Sequence, residues 1–170
     1  MATAPEDPTQ YFHMNTRLLV DGDEIVGTRT DKVHPRIEEA LDARRPSHLL
    51  SRRDAVYTLK GTDFSRCGII NPGYIYRVGA NVEPQLHDLA WIGPMQKAIL
   101  KEKYVNREGM KNYPDWSSDL ADDCCKNYWA GTPSSDPTWE ALFPRCVVIA
   151  KLSDDRVDPA STKGGWKIPS

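Results

Sequence analysis

The chain has 170 residues, 39% of them hydrophobic and 27% charged, with a formal net charge of −2. That length carries one domain with a real hydrophobic core, and the near-balanced charge marks neither a general nucleic-acid binder nor a strongly acidic chain. No run of 18 apolar residues is present, which excludes an apolar membrane-spanning helix.

In chain order, the acidic, Pro-bearing opening MATAPEDPTQ lacks the basic-then-apolar order of a signal peptide and reads as a flexible leader over residues 1–10. A first strand is expected at Tyr11–Met14, with a second apolar run at Leu18–Val20. Asp21-Gly22-Asp23 has turn chemistry and leads to Ile25-Val26-Gly27. A helix begins near Pro35, carries Ile37, Ala40 and Leu41 at helical spacing, and stops at Pro46. Ser51-Arg52-Arg53 precedes a strand at Ala55–Leu59, and the turn Asn71-Pro72-Gly73 precedes another at Tyr74–Val78.

From Gln85 the spacing of Leu86, Leu89 and Ala90 predicts a helix, broken at Gly93-Pro94 and followed by a second one to about Tyr104. Asn106–Trp116 reads as loop. Ser117 or Ser118 caps a last helix that carries Leu120, Ala121, Cys124 and Cys125 and ends at Gly131. The longest apolar run gives the final strand, Cys146–Leu152, and residues 153–170 form a polar tail, frayed or draped over the surface. The sum is a single α+β domain over residues 11–152, with five or six short strands and three or four helices.

Charge is unevenly spread. Nine Arg/Lys stand against six Asp/Glu between Arg29 and Arg66, whereas six acidic residues face only Lys126 between Asp115 and Glu140. One basic and one acidic face would result, or two ordinary solvated ones. The thiols Cys67, Cys124, Cys125 and Cys146 include no C-x-x-C pair, so neither a metal site nor a disulfide framework is expected. Reduced thiols in a cytoplasmic protein are the economical reading. There is no G-x-G-x-x-G and no G-K-[ST] phosphate loop.

Three positions carry chemistry. His13 sits inside the aromatic and apolar run YFHM, Tyr57 ends an arginine-led approach to a strand, and Glu140 lies between Trp139 and Leu142 just before the longest apolar run. A lone core histidine or tyrosine is usually packing. A carboxylate among apolar neighbours needs a partner or a job, and no basic residue in its own segment supplies the partner.

Their order along the chain resembles the ADP-ribosyltransferase superfamily, in the small bacterial or phage members with a His-Tyr-Glu signature. The stretch from Ile37 to Pro46, then Ser51-Arg52-Arg53 through Val56-Tyr57, is similar to their helix and "SR…VY" strand. Tyr128-Trp129-Ala130-Gly131, Glu140-Ala141-Leu142 and the Val-rich run are similar to their ending. The resemblance implies a split mixed or antiparallel sheet core with flanking helices, NAD as co-substrate and Glu140 as the catalytic residue. It implies that Glu140 holds the ribose 2′-hydroxyl and stabilises a ribosyl oxocarbenium ion. By the same resemblance His13 holds the adenosine-side ribose and Tyr57 stacks on the nicotinamide, with Ser51 beside them in the NAD site. Charge alone nominates Arg52 or Arg53 for the pyrophosphate.

Thr138 stands where arginine-modifying members carry Glu or Gln, which disfavours an arginine target. The acceptor could be a protein, a nucleic acid or a small molecule. An NAD glycohydrolase on the same fold is the first alternative, and a non-catalytic nucleic-acid- or protein-binding domain that uses the basic stretch is the second. The loops Asn106–Trp116 and Thr132–Trp139 are the places where an acceptor would be chosen.

Overall fold

A computed structural model of the chain describes residues 10–27, 33–69 and 71–168. The expected leader falls outside these residues, apart from Gln10, as do Arg29 and Lys32 of the basic stretch.

The core is one antiparallel sheet of seven strands: β1 (Tyr11–Asn15), β2 (Glu24–Val26), β3 (Val56–Leu59), β4 (Tyr74–Gly79), β5 (Gln85–Asp88), β6 (Trp139–Phe143) and β7 (Arg145–Lys151). Their spatial order is β2-β7-β4-β1-β3-β6-β5. Three helices accompany it: α1 (Pro35–Ala43), α2 (Gly93–Lys103) and α3 (Ser118–Trp129). The architecture is therefore α+β, and every ladder between the described strands is antiparallel.

The sheet is strongly bent. A methyl group placed on Gly27, at the end of β2, would lie 2.1 Å from the carbonyl oxygen of Asp54, just before β3. Those two strands stand four places apart in the sheet, so they meet only if the sheet curls back on itself, and a glycine is what lets the backbones approach. The enclosed face is apolar. Ile25, Cys146, Val148, Tyr76, Val78, Tyr11, Val56, Ala141 and Phe143 form one core that draws on six of the strands.

The bend has its weak seam between β1 and β3, which share a single registered pair, Phe12 with Leu59. β1 and β4, by contrast, pair along the whole length of β1. The His13 ring fills the seam: its Nδ1 lies 2.8 Å from the Tyr57 carbonyl oxygen. A carbonyl only accepts, so Nδ1 carries the proton. Nε2 then accepts from the Asn15 side-chain amide at 3.3 Å.

The outer face is covered twice. At the β5–β6 end the three helices pack around Ile37, Leu41, Ile92, Met95, Cys125 and Tyr128. At the β1–β4 end Phe12, Met14, Leu59 and Ile75 are closed over by Phe64 and by Val157 and Trp166 of the tail. The tail is thus draped and tied down. Val157 bridges to Gly73, the Ser153 hydroxyl accepts from the Ile75 amide, and Thr162 is fully buried.

Local chemistry explains the helix ends. Ser117 caps α3 by accepting from the Leu120 amide, and Gly131 takes a left-handed φ of +64° that releases the chain after Trp129. His34 caps α1, with Pro35 at its first position.

Two sequence expectations change. Gln85–Asp88 is a strand, because it pairs with Leu142–Trp139 and alternates its side chains, with Leu86 toward the sheet core and His87 toward the helices. Gly93-Pro94 opens α2 instead of breaking it, since proline lacks only an amide that the first turn leaves unpaired. Strand β6 was not legible as such: Pro137 and Pro144 confine it to five residues. The Leu18–Val20 run forms no strand, and Leu18 and Val20 are exposed.

Candidate functional site

Pairing of β3, β6 and β5 puts the candidate chemistry in register. Leu59 stands opposite Glu140, Tyr57 opposite Leu142, and Glu140 opposite His87. Residues directly opposite share a face and neighbours along a strand alternate. Tyr57, Glu140 and His87 therefore project from the outer face, together with Phe12. His13, one residue on from Phe12, projects from the other. The structure brings Glu140 and Tyr57 together and leaves His13 across the sheet from both.

Glu140 is 2% exposed, and its partner comes from far away in the sequence. The Arg52 guanidinium donates to the Glu140 carboxylate, and so does the Tyr128 hydroxyl of α3. Arg52 also donates to the Tyr128 oxygen at 2.7 Å, and through Nε to the Glu38 carboxylate of α1 at 3.2 and 3.3 Å. Two carboxyl groups thus share one guanidinium in a site from which water is largely excluded. His87 lies flat against Tyr128 with ring centroids 4.6 Å apart, and its Nδ1 donates to the Tyr128 carbonyl at 2.9 Å.

Electrostatics follow from burial. Desolvation lifts the Glu140 carboxyl above its ordinary range, against the opposing pull of Arg52 and of the Tyr128 hydrogen bond. Desolvation works against the Arg52 cation too, yet Glu140 and its other neighbours win and hold it firmly protonated. Burial lowers His87, and Arg52 adds to this, so the imidazole is neutral around pH 7.

The remaining candidates have defined places. Ser51 caps the 3₁₀ turn Arg52–Asp54, accepting from the Arg53 amide and donating to Asp42 at 2.9 Å. The Tyr57 hydroxyl donates to the Arg52 carbonyl at 2.6 Å, and the Arg52 guanidinium lies 4.9 Å from the Tyr57 ring centre. Arg52, buried against two carboxylates, is not on offer to a pyrophosphate. Arg53 is only half-buried and forms no ion pair among the described residues, so it is the cation of the two that an anionic ligand could reach.

Arg52, Tyr57, Thr58, Leu59, Phe64, Cys67, Ile69 and Glu140 line a small cavity of about 20 Å³. That is room for about one water molecule. No family model, no curated protein and no solved structure matches the chain. The site must therefore be read from its own chemistry: a desolvated, firmly oriented carboxylate beside an aromatic ring. Among the described residues no group of three or more His, Cys, Asp or Glu side chains is arranged to hold a metal ion. Cys124, Cys125 and Cys146 are buried thiols outside any disulfide among the described residues.

Sequence reasoning missed Glu38, Tyr128 and His87 as members of this cluster. It also missed the anchor beside it, Asp88. The Asp88 carboxylate is fully buried and accepts three backbone amides, from Ala90 at 3.0 Å, Ser134 at 2.7 Å and Thr138 at 2.8 Å. It fixes both ends of the Ser134–Thr138 segment that leads into Glu140. Burial pushes its carboxyl up, but the Ser134, Ala90 and Thr138 hydrogen bonds outweigh that and hold it below the usual range. A depressed native value contributes stability above the unfolded value, and this is lost as pH falls through the native one. Asp88→Asn keeps the shape and removes the charge-assisted bonds, so it should cost about 2–3 kcal/mol at pH 7. Urea unfolding should show that deficit narrowing toward pH 3.

Proposed function

We propose that the chain transfers ADP-ribose from NAD, with Glu140 as the catalytic carboxylate. What carries the reading is the shared face of β3 and β6, where Tyr57 and a buried, hydrogen-bonded Glu140 line one cavity. In this reaction the C1′–N bond breaks with its electron pair leaving on nicotinamide, which departs neutral and needs no acid. The ribose is left with oxocarbenium character. A carboxylate on the 2′-hydroxyl stabilises that charge, and it does so more effectively where water is excluded. An acceptor lone pair then forms the new bond at C1′, and the acceptor proton passes to solvent.

Glu140 would not act alone. Two carboxyl groups against one guanidinium give the cluster an acidic balance suited to a developing cation. Tyr128 and Arg52 fix the carboxylate geometry before substrate arrives. Tyr57 supplies a ring for nicotinamide once its contact with Arg52 loosens. His13, on the opposite face, is better placed to close the β1–β3 seam than to hold a ribose, so the adenosine end has no assigned partner. Arg53 is the candidate for the pyrophosphate.

The near-complete burial of Arg52, Glu38 and Glu140 favours one other reading, in which the cluster simply ties α1 to the sheet. The general nucleic-acid alternative gains little. Arg44 pairs with Asp122 and Arg66 with Asp136, so the basic stretch is partly neutralised by the acidic one. Incubation with NAD labelled in the adenosine ribose, followed by mass spectrometry, separates these readings. Labelled acceptor supports transfer, and free ADP-ribose alone supports hydrolysis. Intact NAD after prolonged incubation with protein, DNA, RNA and nucleotide acceptors leaves the structural reading.

A further inference from the structure

The cavity beside Glu140 is small because one segment covers it. Phe64, Cys67 and Ile69, all from the stretch after β3, form its outer wall, and Phe64 is 2% exposed. Beyond the packing of its Phe64 on Phe12, Met14, Leu59 and Ile75, that stretch takes its polar ties from elsewhere. It is fastened from two sides by elements that are distant in sequence.

The first fastening is the tail. The Phe64 amide donates to the Thr162 hydroxyl at 2.8 Å, and the Gly164 amide donates to the Asp63 carboxylate at 2.8 Å. Thr62 closes the set, its hydroxyl accepting from the Trp166 amide at 2.9 Å and donating to the Trp166 carbonyl at 3.1 Å. The second fastening is Arg66, whose guanidinium forks onto the Asp136 carboxylate at 2.9 and 3.2 Å and reaches the Asp136 carbonyl at 3.2 Å. Asp136 lies between Ser134 and Thr138, the two residues whose amides Asp88 holds, so it is a fixed point for Arg66 to grip.

The geometry points to a latched lid: residues 61–69 close the Glu140 cavity, and the tail together with the Arg66–Asp136 pair holds them shut. For the identity of what passes beneath it, the inference rests on the NAD reading. The latch itself does not depend on that reading. A ribose cannot enter a cavity that holds one water, so the lid must open before Glu140 can meet any sugar. The two fastenings differ in kind. The Thr162 bond is buried, whereas the Arg66–Asp136 pair is exposed and sensitive to salt.

Cys67 reports opening directly. It sits in the lid, half-buried, with its thiol donating to the Phe64 carbonyl at 3.1 Å. The other three thiols are buried, and burial pushes them up to about 11 for Cys124 and Cys125 and about 12 for Cys146, so they react slowly. Alkylation of Cys67 in the full chain, followed by mass spectrometry, should therefore run faster in Arg66→Gln by about two- to fivefold. High salt should accelerate the wild type and leave Arg66→Gln unchanged. Thr162→Val, which removes a buried acceptor, should accelerate labelling about tenfold.

Nicotinamide release at limiting NAD, measured on the same samples, should rise with labelling. If Cys67 labelling is the same in the wild type and both variants, the latch is wrong. Faster labelling with NAD left intact by every sample supports the latch and overturns the NAD reading instead. Faster labelling with slower nicotinamide release overturns the lid as the gate to Glu140.

Discussion

Glu140→Gln should slow nicotinamide release from NAD by about 10²–10³-fold while leaving the fold intact. The substitution preserves size and one hydrogen-bond acceptor, so Tyr128 and Arg52 keep a partner. It removes the negative charge that the oxocarbenium ion would feel. The pH profile should distinguish this from a loss of packing. Burial holds the Glu140 carboxyl above its ordinary range, so the wild-type rate should rise with pH through that elevated value as the carboxylate forms. The Gln variant should show no such limb. For stability the sign is opposite: a carboxyl raised in the native state favours the fold while protonated, and that contribution is lost as pH rises through the native value.

Arg52→Met should be the most destabilising single change near the site, by about 3–5 kcal/mol at pH 7. It leaves the Glu38 and Glu140 carboxylates buried without their cation, and deprives Tyr128 of a donor. Lost Coulomb energy is the smaller part of this, because a buried pair gains little over its desolvation cost. Stranding two charges is the larger part. Two results follow from that division. The deficit should shrink as pH falls and the orphaned carboxylates take up protons. Adding Glu38→Gln and Glu140→Gln to Arg52→Met should restore most of the stability. Urea denaturation across pH 4 to 8 checks both.

The sequence made the class and most elements legible because their signals are local. Pro35 with Ile37, Ala40 and Leu41 marks α1, Ser117 and Gly131 bracket α3, and the apolar run gives β7 within one residue at each end. The oddity of Glu140 was legible as well. Its partner was not, since Arg52 stands 88 positions earlier and nothing in the spacing joins them. Arg52 resembled a phosphate ligand for the same reason: an exposed arginine and a buried one look alike in a string of letters.

The position of His13 was hidden for a different reason. Alternation tells which residues of one strand share a face, but only the Phe12–Leu59 register relates β1 to β3, and it puts His13 on the other face of the sheet from Tyr57 and Glu140. His87 and Asp88 are hidden in the sequence because Leu86, Leu89 and Ala90 fall at helical spacing, though pairing with β6 fixes the segment as a strand. The lid could not be read at all, because its fastenings join residues 62–66 to Asp136 and to the tail.

Melting the wild-type chain with and without NAD tests the central claim most directly, because binding must precede any chemistry at Glu140. NAD at about one hundred times its dissociation constant should add about 2.7 kcal/mol, a rise of roughly 5–10 °C for a chain of this size. Arg66→Gln should reach the same shift at lower NAD concentration. A melting temperature that does not move in either protein at millimolar NAD would contradict the account and leave the Glu38–Arg52–Glu140 cluster as a tie between α1 and the sheet.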